Sequence, residues 1–228
     1  MKAPIVSSAA PVLLVGGGPT DPDALRAALD DCPVRVAADS GALALLAMDV
    51  IPDAVIGDMD SLPDLGLARM PARLVHRIAE QDSTDFDKAL RNIDAPLVFA
   101  HGFLGARLDH QLAVLSVLAR RPERRCILVG RPDVAVLAPP ALALDLQAGT
   151  RVSLFPMARV TGQSEGLRWP IDGLVLAPDG VIGTSNEVSG PVRLEFDAPG
   201  MVLILPATEL PALQAALGDQ TLGWPARV

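Results

Sequence analysis

The stretch Ala54-Val55-Ile56-Gly57-Asp58-Met59-Asp60-Ser61 places two aspartates directly after a short apolar run that ends in glycine. Such a run predicts a buried strand, and the polar residues predict its carboxyl end, where open parallel sheets bind their ligands. Residues two positions apart point to the same side of an extended chain, so we expect Asp58 and Asp60 to converge. Converging carboxylates repel unless a cation or a proton lies between them, and Mg²⁺ is the natural cation because it leaves positions for phosphates. In the alternative interpretation, these aspartates and Ser61 only cap a turn and the helix after it.

The pattern on either side of this stretch predicts an α/β domain. Short β-branched runs alternate with helical patterns up to about residue 140. This alternation is typical of βαβ units and a mostly parallel sheet. The predicted strands are 12–15, 34–38, 54–56, 74–78, 97–100 and 127–129, and the predicted helices are 23–30, 41–48, 84–93 and 108–119.

The pattern changes after Pro139-Pro140, where the helical periodicity fades. The strands predicted from there on are 151–155, 167–169, 174–176, 181–184, 192–196 and 201–205. Because Gly, Pro and Asn punctuate them, they predict an antiparallel sandwich or barrel. Residues 211–217 predict a short terminal helix. We therefore expect two domains, joined near residues 135–145.

The composition limits the classes of function. A chain of 228 residues that is 50% hydrophobic is long enough for one large domain or two small ones with a substantial core. Its 27 acidic and 19 basic residues give a net charge of −8. This charge argues against a nucleic acid or an anionic membrane as the main partner.

The cysteines and the amino-terminal residues bear on the cellular location. Cys32 and Cys126 are too few for a disulfide framework and lie beside apolar segments, so we expect buried free thiols in a reducing compartment. No basic segment followed by an apolar core opens the chain, and no apolar span of about 18 residues occurs. We therefore predict a cytoplasmic protein that does not enter a membrane.

Polar or glycine-rich residues follow four of the predicted strands. Gly16-Gly17-Gly18 follows the first, and the bare backbone of Gly17 and Gly18 allows a phosphate to approach closely. Asp39-Ser40-Gly41 follows the second strand, and His101-Gly102 follows the fifth. Because the carboxyl ends of parallel strands share one edge of a sheet, we expect these segments and the Asp58/Asp60 pair to form one ligand site.

The segment Gln81-Asp82-Ser83-Thr84-Asp85-Phe86-Asp87-Lys88 predicts the start of a helix. Thr84 and Asp87 resemble a capping box with Asp in place of Glu. Helical spacing places Asp85 and Lys88 on one face. Either the acidic first turn only complements the helix dipole, or Asp85 is a further metal ligand, direct or through water, and Lys88 contacts a phosphate.

A second glycine-containing loop precedes the next predicted helix, with the sequence Gly102-Phe103-Leu104-Gly105-Ala106-Arg107-Leu108-Asp109-His110. Arg107 offers a planar fork suited to phosphate or carboxylate, and Asp109 either orients Arg107 or caps the helix. An Arg and an Asp at this spacing are also a common surface salt bridge. His101 and His110 have no partner at metal-ligand spacing, so we predict that both are structural or support the site indirectly.

Several segments, in this order and spacing, resemble the thiamine pyrophosphokinase family. They are Asp39-Ser40-Gly41-Ala42, Pro52-Asp53-Ala54-Val55-Ile56-Gly57-Asp58-Met59-Asp60-Ser61, Gln81-Asp82-Ser83-Thr84-Asp85-Phe86-Asp87-Lys88-Ala89-Leu90, Gly105-Ala106-Arg107-Leu108-Asp109-His110, and, in the C-terminal part, Gly166-Leu167-Arg168-Trp169 with Gly183-Thr184-Ser185-Asn186. Each motif alone is weak, but their common order is specific. The resemblance runs from about residue 12 to residue 205.

The resemblance implies a fold and a reaction. It implies a Rossmann-like α/β catalytic domain over residues 1–138, which binds ATP and Mg²⁺, and an antiparallel β-sandwich over residues 139–228, which binds thiamine and ends in a short tail. It also implies a homodimer with active sites near the subunit interface. The implied reaction is Mg²⁺-dependent transfer of the pyrophosphoryl group from ATP, the co-substrate, to the hydroxyethyl oxygen of thiamine, giving thiamine diphosphate and AMP.

The resemblance also implies roles for individual residues. The acidic catalytic site would comprise Asp39, Asp58, Asp60 and Asp85, with Asp58, Asp60 and Asp85 as metal ligands. ATP and its phosphates would be held by Gly17, Gly18, Gln81, Lys88, Arg107 and Asp109. Thiamine would be received by Trp169, Ser185 and Asn186, and an indole face attracts a cationic ring. In the alternative interpretation, Trp169 is an ordinary core residue.

The chain departs from the family pattern at a few positions. Ser40 and Leu43 stand where the family usually has Gly and Asn, and Ala106 stands where it usually has Gly. A restricted backbone at Ala106 matters if that position requires a positive φ. The tail over residues 206–228 lies outside the resemblance.

Two other functions remain open at this point. A dinucleotide-dependent oxidoreductase would use the glycines after the first strand and Asp39 after the second, but it would leave Asp58, Asp60 and Asp85 unused. A non-catalytic protein of the same fold would bind nucleotide or thiamine without turnover. The intact set of aspartates counts against this second alternative.

Overall fold

The structure is a computed structural model that describes residues 3–105, 107–218 and 223–226. The chain divides into two compact units, Met1–Val117 with Leu128–Arg131, and Leu118–Ile127 with Pro132–Val228. The first unit mixes strands and helices, and the second consists mainly of strands. The coarse prediction of an α/β part followed by a β part is therefore confirmed.

The first unit is built on a parallel sheet. Its strands, including one that crosses the division between the units, are β1 (Val6–Ser7), β2 (Val12–Val15), β3 (Val34–Ala38), β4 (Ala54–Gly57), β5 (Val75–Arg77), β6 (Ile93–Asp94), β7 (Val98–His101) and β8 (Cys126–Val129). Parallel pairing gives the order β7-β2-β3-β4-β5, and β8 lies beside β7. The short strands β1 and β6 pair only with each other. Strands β2 and β4 are buried along their whole length, as expected for a sheet covered on both faces.

Helices connect these strands. They are α1 (Pro22–Asp31), α2 (Ala42–Leu46), α3 (Asp64–Leu67), α4 (Asp85–Arg91) and α5 (Leu108–Arg120), with 3₁₀ turns at Asp39–Gly41 and Ala72–Leu74. Helix α4 begins where the capping signal predicted, because the Thr84 side chain accepts a hydrogen bond from the Asp87 amide. Helix α2 is shorter than predicted, and Asp49 follows it with a φ of 58°.

The second unit is antiparallel. Its elements are β9 (Asp133–Leu137), β10 (Ala141–Leu144), β11 (Arg151–Pro156), β12 (Gly162–Leu167), β13 (Gly183–Phe196), β14 (Met201–Pro206), a 3₁₀ turn at Ala207–Glu209, and α6 (Leu210–Gly218). Strand β14 pairs with β9 and β11, whereas β13 pairs with β11, β10 and β12. The short helix predicted near the C-terminus is confirmed as α6.

Strand β13 differs from the prediction of two strands at 181–184 and 192–196. It continues through Gly190-Pro191, which lies between the two predicted strands. The proline is tolerated because the register with β12 shifts at Gly166, opposite Pro191, and the pairing with β10 ends at Val192. No ladder hydrogen bond is therefore required from the proline nitrogen.

Two predicted strands are replaced by loop. Strand β12 ends at Leu167, so Trp169 lies beyond it, and Leu176 makes only isolated bridges to Val160 and Val181.

Cys32 and Cys126 are both buried free thiols, as expected, and burial raises the pKa of Cys32 to about 11. Within the described ranges, the structure contains no helix that is long and apolar enough to cross a membrane.

Candidate functional site

A cleft of about 490 Å³ opens at the carboxyl ends of the parallel strands of the first unit. Eight of the predicted site residues line it: Gly17, Gly18, Asp39, Asp58, Gln81, Asp85, Lys88 and Arg107. They follow five different strands, β2, β3, β4, β5 and β7, and the parallel order brings these strand ends to one edge. The structure therefore brings together the residues expected to bind phosphates and metal in this unit.

Three carboxylates form the densest part of this site. Asp39, Asp58 and Asp60 each offer an oxygen, and these oxygens lie within 4.8 Å of one another. Asp39 is buried, and its Oδ1 atom has no hydrogen-bond partner in the part of the chain that the structure describes, while its Oδ2 atom accepts from the Ser61 amide at 3.2 Å. A set of carboxylate oxygens with one buried oxygen left over suits a hard cation such as Mg²⁺.

Two glycines allow this close approach. A Cβ atom on Gly57, the last residue of β4, would lie 2.9 Å from the Cβ of Asp39 and 3.1 Å from Oδ1 of Asp85. A Cβ atom on Gly41 would lie only 2.0 Å from the carbonyl oxygen of Val15. Because only glycine lacks this atom, these two positions allow the carboxylates to approach and the turn after β3 to pass the end of β2.

The Asp58/Asp60 pair converges by a route other than the expected one. Met59 between them is buried and has a φ of 64°, so the two aspartates lie on a tight turn and not on an extended strand. The Asp60 amide donates to Oδ1 of Asp58 at 3.3 Å, and the Ser61 hydroxyl donates to Oδ1 of Asp60 at 2.8 Å. A left-handed methionine is uncommon and costs on the order of 1 kcal/mol, and such strain is often found at functional sites. The aspartates thus cap a turn and also form a cluster.

Lys88 is a buried cation of this cleft. It is only 1% exposed, and its Nζ atom donates to Oδ2 of Asp58 at 2.7 Å and to Oδ1 of Asp85 at 3.1 Å. Asp85 therefore faces Lys88, whereas Asp39, Asp58 and Asp60 make up the metal-sized cluster. Asp58 belongs to both groups and links the ammonium to the carboxylate cluster.

Burial and charge move the pKa values of these groups in different directions. Burial raises the pKa of Asp39 above its ordinary value of 3.8, and the negative charges of Asp85, Asp58 and Asp60 add to this effect. The hydrogen bond from Lys88 lowers the pKa of Asp58. Burial lowers the pKa of Lys88, but its hydrogen bonds to Asp58 and Asp85 raise it by more. Lys88 and Asp58 are therefore a charged pair at neutral pH.

The predicted phosphate-binding loop carries an oriented arginine. Arg107 donates through Nε to Oδ1 of Asp109 at 3.1 Å and through a terminal nitrogen to Oδ2 at 2.6 Å. Both side chains are exposed. Asp109 does not line the cleft itself but fixes the guanidinium that does.

The glycine-rich turn after β2 is followed by helix α1, and amides at the start of this helix are already hydrogen-bonded within the protein. The Asp21 side chain accepts hydrogen bonds from the amides of Asp23 and Ala24, and so caps α1. In a dinucleotide-binding fold these amides would face the pyrophosphate. The cap argues physically against the oxidoreductase alternative.

The cleft also contains residues that the sequence did not single out for function. Phe103 packs on Phe86 with ring centroids 4.7 Å apart, and Ser61 holds Asp39. His101, by contrast, is buried beside the cleft, and burial lowers its pKa to about 4, which fits its predicted structural role. Ser61 follows the aspartate pair directly, so its position in the motif is a signal for it, whereas nothing in the spacing indicates the Phe86–Phe103 contact.

The predicted thiamine-binding residues lie together in the second unit. Trp169 is 53% exposed, which excludes an ordinary core position, and the Arg168 guanidinium stacks 4.8 Å from the centroid of its ring. Asn186 is buried and hydrogen-bonded to the Trp169 backbone. Ser185 is exposed, with a φ of 61°, and its amide donates to the hydroxyl of Ser153 at 3.0 Å. Ser153 was not predicted, although a lone polar residue within the apolar strand β11 is a signal that could have indicated it.

Comparison with family models gives two matches in chain order. "Thiamin pyrophosphokinase, catalytic domain" matches residues 25–129, and "Thiamin pyrophosphokinase, vitamin B1 binding domain" matches residues 142–201. Among curated relatives, the chain is 30% identical over 156 residues to thiamine pyrophosphokinase 3 of Oryza sativa subsp. japonica and 28% identical over 156 residues to thiamine pyrophosphokinase 1 of Arabidopsis thaliana. Each match covers 60% of this chain and spans 58% of the length of the relative.

Solved structures share the fold. A thiamin pyrophosphokinase from Candida albicans superposes with a TM-score of 0.73 at 17% identity, covering 88% of this chain and 92% of the other. A thiamin pyrophosphokinase from Geobacillus thermodenitrificans superposes with a TM-score of 0.69 at 24% identity, covering 89% of this chain and 99% of the other. At these identities the likeness concerns the fold alone.

Proposed function

Because the chain belongs to the thiamin pyrophosphokinase family, we propose that it transfers the pyrophosphoryl group of ATP to thiamine in a Mg²⁺-dependent reaction, giving thiamine diphosphate and AMP. The first unit would bind ATP and the metal, and the second would receive thiamine. In this proposal the first domain is Rossmann-like and extends to residue 138, and the second is a β-sandwich that begins at residue 139.

The cluster of Asp39, Asp58 and Asp60 is the observation that carries the proposal. Its carboxylate oxygens, one of them buried and unpartnered within the described residues, fit a Mg²⁺ ion. We propose Asp58, Asp60 and Asp85 as ligands, direct or through water, and add Asp39 because it belongs to the carboxylate cluster and has a buried oxygen without a hydrogen-bond partner among the described residues. When bound, Mg²⁺ neutralises the charge of the reacting phosphates.

The residues of the chain then position the reacting groups. Lys88 is held between Asp58 and Asp85 and supplies a fixed positive charge to the phosphates, whereas the exposed Arg107, oriented by Asp109, would contact them through its guanidinium fork. Gln81 would bind ATP, and Gly17 and Gly18 expose backbone to its phosphates.

Bond formation and cleavage are balanced in this reaction. The hydroxyethyl oxygen of thiamine bonds to the β-phosphorus of ATP while the bond from that phosphorus to the oxygen bridging the α- and β-phosphates breaks. The hydroxyl proton passes to one of the carboxylates of the cleft, and AMP leaves. Little covalent chemistry is required of the protein, so positioning and charge neutralisation supply most of the catalysis.

We further propose that the protein is a cytoplasmic homodimer with active sites near the subunit interface. Support comes from large apolar side chains that the second unit exposes, namely Leu174, Val175, Val181 and Ile182. Exposed apolar groups of this kind often mark interaction surfaces. The oligomeric state is measurable by sedimentation or by light scattering.

The direct test is an assay with ATP, Mg²⁺ and thiamine, in which AMP and thiamine diphosphate are separated by chromatography. We expect equal amounts of both products and no AMP when thiamine is omitted or when the metal is chelated. If the protein binds thiamine and ATP but releases no AMP, the proposal is wrong and the non-catalytic alternative is supported.

A further inference from the structure

The side chain of Asn186 is hydrogen-bonded to the backbone of Trp169. It is 6% exposed, its Oδ1 atom accepts from the amides of Trp169 at 3.2 Å and Glu187 at 2.8 Å, and its Nδ2 atom donates to the carbonyl oxygen of Trp169 at 2.6 Å. An asparagine offers two acceptor positions and two donors. Both acceptor positions and one donor are therefore used within the protein.

The indole of Trp169 needs such support. Trp169 lies beyond the end of β12, and about half of its surface is exposed, so packing alone does not determine its orientation. The amide and the carbonyl of Trp169 are both bonded to Asn186, and the amide of Arg168 bonds to the carbonyl oxygen of Glu187 at 2.8 Å. The peptide that carries the indole is thus attached to β13 on both sides of its Cα atom.

We propose that Asn186 is a positioning residue that holds Trp169 in the orientation in which its indole meets the cationic ring of thiamine, and does not itself contact thiamine. The inference rests on the proposed function, because it concerns how the second unit receives this substrate. In this inference thiamine is contacted by Trp169, either alone or together with Ser185, and not by Asn186.

The neighbouring serine supports this division of roles. Successive residues of a strand point to opposite sides, and Ser185 is exposed whereas Asn186 is buried. The left-handed backbone at Ser185, with φ 61°, is held by the hydrogen bond from its amide to the buried Ser153 hydroxyl. The Ser185 side chain therefore remains accessible to a ligand, and the Asn186 amide does not.

A double-mutant cycle on thiamine binding, measured by titration calorimetry, separates the two roles. Asn186→Ala should weaken thiamine binding about tenfold, since a pair of buried hydrogen bonds is lost. In a Trp169→Ala background, the same change should weaken binding by less than about twofold, because the group that it positions is gone. Effects that multiply in the double mutant would show that Asn186 contacts thiamine and would overturn the inference.

Asn186→Asp provides a second variant that keeps the shape of the side chain. It retains the two accepted hydrogen bonds but places a carboxylate oxygen against the Trp169 carbonyl oxygen, so we expect a loss of affinity at least as large as that of Asn186→Ala. As a matched control, Thr161→Val removes the hydrogen bond from the Thr161 hydroxyl to Asp197, at 2.6 Å in the same unit, and should leave thiamine affinity unchanged. An equal loss in this control would indicate a general effect on the unit and contradict the inference.

Fluorescence gives a readout that does not require thiamine. In a Trp224→Phe background Trp169 is the sole tryptophan, and Asn186→Ala should change its emission maximum and its quenching by acrylamide. An unchanged signal would overturn the positioning role. If the wild-type protein binds no thiamine at all, the proposed function fails, while a changed signal still shows that Asn186 orients Trp169.

Discussion

In the first unit, charged side chains are buried at the ends of parallel strands, whereas in the second an exposed indole is held through its backbone. Lys88 forms ion pairs with Asp58 and Asp85, and the buried Asp39 lies in the same carboxylate cluster as Asp58. The Trp169 backbone and the Asn186 side chain are joined by neutral hydrogen bonds, one donated by each. The first region thus positions side chains by ion pairs, whereas the second positions a side chain by neutral hydrogen bonds to its backbone.

This difference has an energetic consequence. A buried charge needs its partner, because leaving one charge alone in a poorly solvated site costs several kcal/mol. A neutral hydrogen bond contributes about 1 kcal/mol, and its loss disturbs only the group that it orients. Changes in the cleft should therefore affect both stability and turnover, while changes around Trp169 should affect thiamine binding alone.

The largest effect is expected at the aspartate pair. Asp58→Asn and Asp60→Asn should each lower kcat by at least about 1000-fold, because they remove a proposed metal ligand that acts on the transition state. Product formation is followed by chromatography, and circular dichroism should show that the fold is retained. Asp64→Asn, at the exposed start of α3, is the matched control and should keep normal turnover. Near-normal activity in either cleft variant would refute the metal assignment.

Lys88→Met should reduce stability as well as turnover. The change leaves Asp58 and Asp85 facing each other without a cation, so the free energy of unfolding should fall by about 3 kcal/mol, as measured in urea. The exposed pair of Arg69 and Asp49, 3.7 Å apart, offers a comparison. Arg69→Met should cost less than about 1 kcal/mol. If both variants lost the same free energy of unfolding, burial of the Lys88 ion pairs would add nothing to their contribution to stability.

Trp169→Ala should change thiamine binding and little else. Loss of a stacked, cation-attracting indole should raise the Kd of thiamine about thirtyfold, with ATP affinity and stability close to those of the wild type. The second tryptophan serves as control, since Trp224 donates its indole N–H to the carbonyl oxygen of Ala138 at 2.8 Å. Trp224→Phe should leave the Kd of thiamine unchanged. A loss of ATP affinity in Trp169→Ala would mean that the two regions do not act separately.

The smallest effect concerns pH. The pKa of Asp58 is lowered in the folded state, chiefly by the hydrogen bond from Lys88, so this carboxylate stabilises the fold above its unfolded-state pKa. The contribution is lost as the pH falls through the lower, folded-state value. The stability difference between the wild type and Asp58→Asn should therefore be constant near neutral pH and shrink below about pH 4, in urea titrations at several pH values. If the stability difference between the two proteins grew on acidification, that result would contradict the ion pair of Lys88 and Asp58.

Local pattern sufficed for much of the first unit. The strands at 12–15 and 34–38 have the predicted bounds, and α4 begins at the predicted cap, because buried parallel strands and capped helices leave strong signals in sequence. The convergence of Asp58 and Asp60 was expected, but from an extended chain. The left-handed backbone at Met59 has no signal in sequence, since methionine rarely adopts it.

The strands and side-chain partners of the second unit were harder to predict from the sequence. Separate strands were predicted at 181–184 and 192–196, yet β13 is continuous from Gly183 to Phe196, and its pairing changes near Gly190-Pro191. The commitment of Asn186 to Trp169, 17 positions earlier, depends on which strands pair and in what register. Neither feature follows from the residues nearby, since register is set by long-range pairing.

The sequence by itself determined the family, the change from α/β to β, and the acidic and basic residues of the cleft. These depend on residue type and short spacing, which chemistry and periodicity make visible. Only the tertiary structure decided that Lys88 is buried between Asp58 and Asp85, that one oxygen of Asp39 has no hydrogen-bond partner among the described residues, and that Asn186 faces Trp169. Burial and hydrogen-bond partners are properties of residues far apart in the chain, so they arise only when the sheet has formed.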